Sequence, residues 1–170
     1  MTAQLKFLAQ EWEYLKQVCE LGYPKEVCGV LLGREGDGVG VSAEVLKVRT
    51  LTNILEPGHA EKLEKLIAAG AVSLNLERAR AGGNYEFAID PSEHFKVLEL
   101  AQKQGLDQVG LFHSHPDHPP RPSPTDQSQP FLAGWSNIIV AVDRGKFQAA
   151  LSWRRERDND PFQEEKIIVV

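Results

Sequence analysis

Two histidines, His113 and His115, close the apolar run Val109-Gly-Leu-Phe-His113, which reads as a central strand. Residues two apart on a strand project to the same face, so both imidazoles can be presented to one ion while Ser114 points the other way. A catalytic zinc takes three protein ligands of N, O or S type and keeps its fourth position for water. Asp126 is the natural third donor, because it falls in the first turn of a helix expected just after a proline-rich loop and can fold back on the strand end. Asp117 competes for that place, but its position beside Pro116, so soon after His115, gives it the poorer reach. Hydrolysis also needs a base near the water that the metal acidifies. Glu26 is the candidate, since it stands at the entry to an otherwise apolar strand where a charge serves no packing purpose.

Each of these residues also has a plainer explanation. A His-x-His pair on its own is weak grounds for a metal. Ser123-Pro-Thr-Asp126 fits a capping box, in which the serine caps a helix start and the acid caps back, and this accounts for Ser123 and Asp126 with no ion at all. Glu26 could be a solvated strand end, His118 a solvated loop residue and His94 a surface residue of a helix. Composition and spacing therefore reach a metal site, with hydrolysis as one use of it.

The elements that must position these groups are legible from periodicity and punctuation. Trp12, Leu15 and Cys19 recur at helical spacing over residues 10–21, and Gly22 with Pro24 stops that helix. Glu26 to Gly33 reads as a buried strand, Gly33 to Gly40 as a turn and Val39 to Val48 as the returning strand of a hairpin. Tyr85 to Ile89 reads as a short strand. Asp90-Pro91-Ser92-Glu93 is a helix start with an N-cap carboxylate, proline in first position and glutamate in third. Phe95, Leu98 and Ala101 or Gln102 then share a face, and Gly105 ends the helix. A short helix follows from Ser123 to Leu132. Ile138–Val142 and Gln148–Trp153 are joined by the turn Asp143-Arg-Gly-Lys146, and Lys166 to Val170 forms a last strand. The mixture predicts an α/β (α+β) sandwich, a curved and mainly antiparallel sheet with helices against it.

At 170 residues the chain is read as one domain, with 42% hydrophobic and 25% charged residues. Residues 56–83, rich in Ala, Glu, Leu, Lys and Arg, read as a helical insertion that could be lifted out. A net charge of -5 argues against nucleic acid as the main partner. No apolar run approaches the roughly 20 residues that span a bilayer, and the first residues lack a secretory pattern, so no membrane partner and a cytoplasmic location are expected. Cys19 and Cys28 are too few for a disulfide framework and read as buried thiols.

The ordered set Glu26, His113-Ser114-His115-Pro116, then seven residues, then Ser123-x-x-Asp126, resembles the signature of the JAMM (MPN-plus, Mov34/PAD-1) zinc metallopeptidases. Glu26-x-Cys-Gly-Val-Leu-Leu-Gly resembles the strand around the family's glutamate. Glu86-Phe-x-x-Asp90-Pro91, a helix and Gly110-Leu-Phe-His-Ser-His-Pro resemble its bacterial stand-alone branch. The likeness covers most of residues 5–155 apart from the insertion. It implies a cytidine-deaminase-like JAMM sandwich with Zn2+ held by His113, His115 and Asp126 and Glu26 as general acid/base. It also implies that Ser123 donates to the oxyanion. The implied substrate is a peptide or isopeptide bond next to the C-terminal Gly-Gly of a ubiquitin-like protein or of a sulfur-carrier protein of the same β-grasp fold.

Within such a family an insertion can lie over the active site and recognise substrate or block it. Here it carries Glu56 and His59, either of which could take the open zinc position in a resting state; a surface or homodimer-forming helical pair is the other reading. Three rivals differ in class: an inactive MPN-type scaffold that binds partners, a RadC-like protein, and a zinc hydrolase of small molecules. The full ligand set disfavours the first. The middle serine and the acidic charge disfavour the second.

Overall fold

The computed structural model describes residues 3–70, 87–124, 126 and 132–170. Among the described residues there are seven strands: β1 (Gln4–Phe7), β2 (Cys28–Glu35), β3 (Val41–Leu51), β4 (Asp107–Pro116), β5 (Ser136–Asp143), β6 (Lys146–Arg154) and β7 (Gln163–Val169). They form one sheet in the order β1-β3-β2-β4-β5-β6-β7 that closes on itself through β7 and β1. Three pairings are parallel (β1 with β3, β1 with β7, β4 with β5) and the other four antiparallel. The sheet is therefore mainly antiparallel, as the sequence predicts.

Helix α1 (Ala9–Gly22) packs on one face of this sheet. Trp12, Leu15, Val18 and Cys19 meet Leu5, Phe7, Leu31, Val45, Phe112, Ile138 and Val140 there. Burying each large side chain of this set is worth about 1.5–3 kcal/mol. Trp12 stands edge-on to Phe7, with ring centroids 5.2 Å apart. Glu11 Oε2 accepts the Val48 amide at 2.7 Å, tying the helix to β3. The opposite face carries Val30, Leu32, Leu51 and Leu111 under helix α3 (Pro91–Lys103), through its Val97, Leu98 and Ala101. Opposite Leu31 and Leu32, β4 pairs through Gly110 and Gln108, leaving Val109 as an extra residue. This bulge turns Val109 toward α1 while Leu111 faces α3, and it sets the phase in which the end of β4 presents its histidines.

The β2–β3 turn is built on Asp37, whose carboxylate accepts the amides of Val39, Gly40 and Val41. These donors, Gly40 first, lower its pKa to about 2. At the β5–β6 turn Arg144 and Gly145 both adopt positive φ (50° and 82°), the conformation of the predicted two-residue hairpin.

Several expectations are corrected. β1 was not expected from the sequence. β3 runs three residues past Val48, to Leu51. Phe95 is 63% exposed rather than packed, because the buried stripe of α3 centres on Val97, Leu98 and Ala101 and Phe95 lies about 200° around the helix from Val97. Asp90 caps α3 by accepting the Ser92 amide at 3.0 Å, but Glu93 reaches out to the Thr52 amide instead of back to the cap. In the described part of the expected 85–89 strand, Ile89 makes a single bridge to Asn53.

The start of the expected insertion is a 3-10 turn (Pro57–His59) leading into α2 (Ala60–Ala68). Leu63, Leu66 and Ile67 of α2 pack on Ile54, Leu55 and Ala88, and the Lys62 ammonium pairs with the Asp90 carboxylate at the start of α3. Residues 71–83 of that insertion, Tyr85 with Glu86, and most of the helix expected after Ser123 lie outside the described residues. No helix among the described residues is long and apolar enough to cross a membrane.

Candidate metal centre

Past the bulge, β4 alternates strictly. Phe112 lies in the α1 core while Leu111 turns to the α3 side, and His113 and His115 share the latter parity. Cys28 of β2 pairs with His113, so continuing that antiparallel register by two residues brings Glu26 opposite His115 on the same face. Ser114, between the histidines, joins the strands: its amide donates to the Val27 carbonyl and its hydroxyl accepts the Val27 amide, both at 2.8 Å. Glu26 thus follows from a hydroxyl standing in for a ladder carbonyl, just before β2 begins.

The structure brings four predicted residues together, all nearly buried: Glu26 at 6% exposure, His113 at 2%, His115 at 6% and Asp126 at 5%. His113 Nε2 and His115 Nε2 are 3.1 Å apart. Each lies 3.1 Å from a carboxylate oxygen of Asp126, Oδ1 for His113 and Oδ2 for His115. Ligand atoms of Glu26, His113 and His115 lie within 4.8 Å of one another. His115 Nδ1 faces the Pro119 carbonyl at 2.8 Å. Donation there leaves Nε2 of the neutral ring as an acceptor, the second bond that fixes the tautomer of a metal-binding histidine.

Several acceptor atoms therefore converge on one point. A single proton can bridge one of these pairs at a time, whereas a divalent cation satisfies them together. The spacing suits zinc, because bonds of about 2.0–2.1 Å to tetrahedral corners put those corners roughly 3.3 Å apart. Two nitrogens and a carboxylate are donors that zinc takes. Burial lowers the pKa of His113, which favours its ligating neutral form. For His115 burial acts the same way but is outweighed by the Asp126 carboxylate and the Pro119 carbonyl, and its pKa rises. Burial opposes ionisation of Asp126, yet the adjoining His113 and His115 imidazoles hold it far below the ordinary carboxylate range.

The capping-box reading of Ser123 and Asp126 is realised, and the capped carboxylate also lies beside the histidines. Ser123 N–H donates to Asp126 Oδ2 at 2.8 Å, and Asp126 N–H donates to Ser123 Oγ at 3.1 Å. The reciprocal cap holds the carboxylate that meets the histidines. Asp117 is committed elsewhere: it accepts from the Tyr23 hydroxyl at 2.7 Å and the Arg144 amide at 2.9 Å, with its own φ at 57°. His118 is exposed, and His94 is half-buried against Gln108 at 2.7 Å. Glu56 and His59 stand half-buried on the 3-10 turn, outside the Glu26–His113–His115 group.

Two contributors escaped the sequence reading. Phe87 stacks on the His113 ring, with centroids 4.5 Å apart and planes at 26°. Asn53 is 3% exposed and donates to the Glu26 carbonyl at 3.1 Å. A signal for Asn53 did exist, because an amide inside the apolar run Leu51-Thr-Asn-Ile-Leu55 must find partners if it is buried. Cys28 and Cys19 are both fully buried, as expected. Desolvation pushes the Cys19 thiol up to about 12 and Cys28 well above its usual range. Neither thiol should react with a disulfide reagent at pH 8 in the folded protein, and both should react on unfolding; fast native labelling of Cys28 would contradict its placement beside His113.

The family of prokaryotic homologues of the JAB domain matches residues 9–156. The chain belongs to that family. Two relatives of this JAB-family chain are named desampylases. The one from Pyrococcus furiosus is 31% identical over 145 residues, covering 85% of this chain and 76% of its own. The one from Haloferax volcanii is 31% identical over 146 residues, covering 86% and 79%. The solution structure of protein DSY2949 from Desulfitobacterium hafniense superposes with a TM-score of 0.68 at 25% identity, over 98% of this chain and 92% of that one. A Salinibacter ruber protein gives 0.65 at 29% identity, over 97% and 91%. The JAMM/MPN resemblance read from the motif and the mixed α/β architecture are both borne out.

Proposed function

We propose that this JAB-family protein is a zinc-dependent metallopeptidase. It hydrolyses a peptide or isopeptide bond next to the C-terminal Gly-Gly of a ubiquitin-like or sulfur-carrier protein. The observation that carries the reading is the convergence of His113 Nε2, His115 Nε2 and the Asp126 carboxylate at 3.1 Å, with Glu26 in reach. The two relatives named desampylases support the reaction class.

Zinc held by His113, His115 and Asp126 would polarise the scissile carbonyl and lower the pKa of a water to around 7. Glu26 takes a proton from the attacking water and passes it to the leaving amine. Ser123 Oγ accepts the Asp126 amide, which leaves its own hydrogen free to donate to the oxyanion of the tetrahedral intermediate. Phe87 covers one face of His113 and limits the ring's motion.

The test incubates the zinc-loaded protein with β-grasp carrier proteins extended beyond their terminal Gly-Gly. Trimming at the Gly-Gly, read by mass and abolished by chelator, is the expected result. Intact extensions across the carrier set, with the protein folded and fully loaded, would overturn the substrate assignment.

A further inference from the structure

The ladder between β2 and β3 stops at Cys28 and Leu51. Had it continued two residues, Asn53 would stand opposite Glu26. The backbones no longer pair as strands there, and the Asn53 carboxamide supplies the missing rung. Its Nδ2 donates to the Glu26 carbonyl at 3.1 Å. Its Oδ1 accepts the Ala88 amide at 3.0 Å and the Leu55 amide at 3.2 Å. Ile54 N–H also donates to the Ala88 carbonyl at 2.9 Å, and Asn53 bridges Ile89. Ala88 directly follows Phe87, the ring stacked on His113.

A single buried amide thus touches the backbone that carries the base and the segment that covers a metal donor. On the β4 side, the chain at Glu26 is fixed through Val27 and Ser114. On the β3 side it is fixed through Asn53. A proton-transferring carboxylate has to sit within about 2.6–3.2 Å of its partner. A displacement of the order of 1 Å, even from a residue remote from the chemistry, can cost about 10²-fold.

We propose that Asn53 is a positioning residue of the hydrolytic site, its carboxamide setting Glu26 against His113 and His115 and pinning Phe87 over His113 by the same hinge point. The role rests on Glu26 being the general acid/base, and the test separates the two claims. Asn53→Asp retains an oxygen for the Ala88 and Leu55 amides but removes the donor to Glu26; Asn53→Ala removes the bonds to Glu26, Ala88 and Leu55 and adds no charge. Both variants should bind zinc stoichiometrically and lose about 10- to 100-fold in kcat on an extended carrier protein, with KM within about twofold. Combined with Glu26→Gln, either should add less than about twofold, because both act on one step.

A second readout needs no turnover. Cobalt(II) is loaded in place of zinc and its visible absorption followed against pH. Glu26→Gln should move the midpoint, and Asn53→Ala should move it in the same direction. Should Asn53→Ala not fold, Asn53→Asp carries the test, with zinc content and thermal unfolding showing it intact. If Glu26→Gln leaves both turnover and midpoint unaltered, the assignment of Glu26 fails and Asn53's role goes with it. If Glu26→Gln moves them while the folded Asn53 variants match the parent, or if the losses multiply in full, Asn53 only holds the fold.

Discussion

Glu26→Gln should keep a full complement of zinc and lose turnover by about 10²- to 10⁴-fold, the range expected for removing a positioned acid/base group. The substitution preserves size and hydrogen bonding while taking away the proton shuttle. Glu26 is 6% exposed and its backbone carbonyl is held by Asn53, so glutamine can occupy the same place without disturbing the ladder that begins at Cys28. Elemental analysis alongside single-turnover cleavage checks both halves of the expectation. Unchanged turnover removes Glu26 from the mechanism. Loss of zinc in step with activity would instead make it a ligand, an outcome that its 4.8 Å neighbourhood with His113 and His115 makes worth measuring.

Asp126→Asn separates the cap that the carboxylate makes from its proposed role as a zinc ligand. Asparagine retains an oxygen for the Ser123 amide and its own amide for Ser123 Oγ, so the reciprocal cap survives. What it lacks is the charge and the second oxygen that Asp126 offers to His113 and His115. Zinc affinity should fall by more than the roughly 10- to 100-fold that accompanies loss of an outer partner of a metal ligand. Asp126→Ala should lose zinc equally and a further 0.5–2 kcal/mol or so of stability from the missing cap. Competition against a chromophoric chelator and thermal unfolding of the metal-free proteins read the two effects. If the asparagine variant binds zinc as the parent does, Asp126 is a cap and nothing more.

The histidine pair was legible because a strand's two-residue period needs only local sequence, and the β4 run is long and apolar enough to fix its type. The capping box was equally local, and the chain realises it together with the contact to the histidines. The Asp143–Lys146 turn announced itself through Arg-Gly. What sequence could not supply were relations between segments far apart in the chain. Four residues suffice for β1, which pairs in parallel with β3 and β7, and no short-range pattern marks such pairing. Closure of the sheet depends on it. Asn53 and Phe87 serve the site through residues 27 and 26 positions away, Glu26 and His113, so their types alone did not single them out. Phe95 illustrates the opposite failure, a periodic apolar residue that the twist of α3 leaves facing solvent.

The loop between His115 and Asp126 contains Pro116, Pro119, Pro120, Pro122 and Pro124. It is pinned on the way by the Asp117 amide to Val142, by the Pro119 carbonyl to His115 and by the Pro120 carbonyl to the Trp153 indole at 2.9 Å. Each proline narrows the range of shapes open to the unfolded chain. The freedom of the loop is therefore given up during folding and not when an ion arrives. Loading and stripping the metal can then leave the backbone where it is. The selectivity of the proposed zinc centre should then follow the hardness and spacing of its donors, and chelation should leave a folded, reloadable apoprotein.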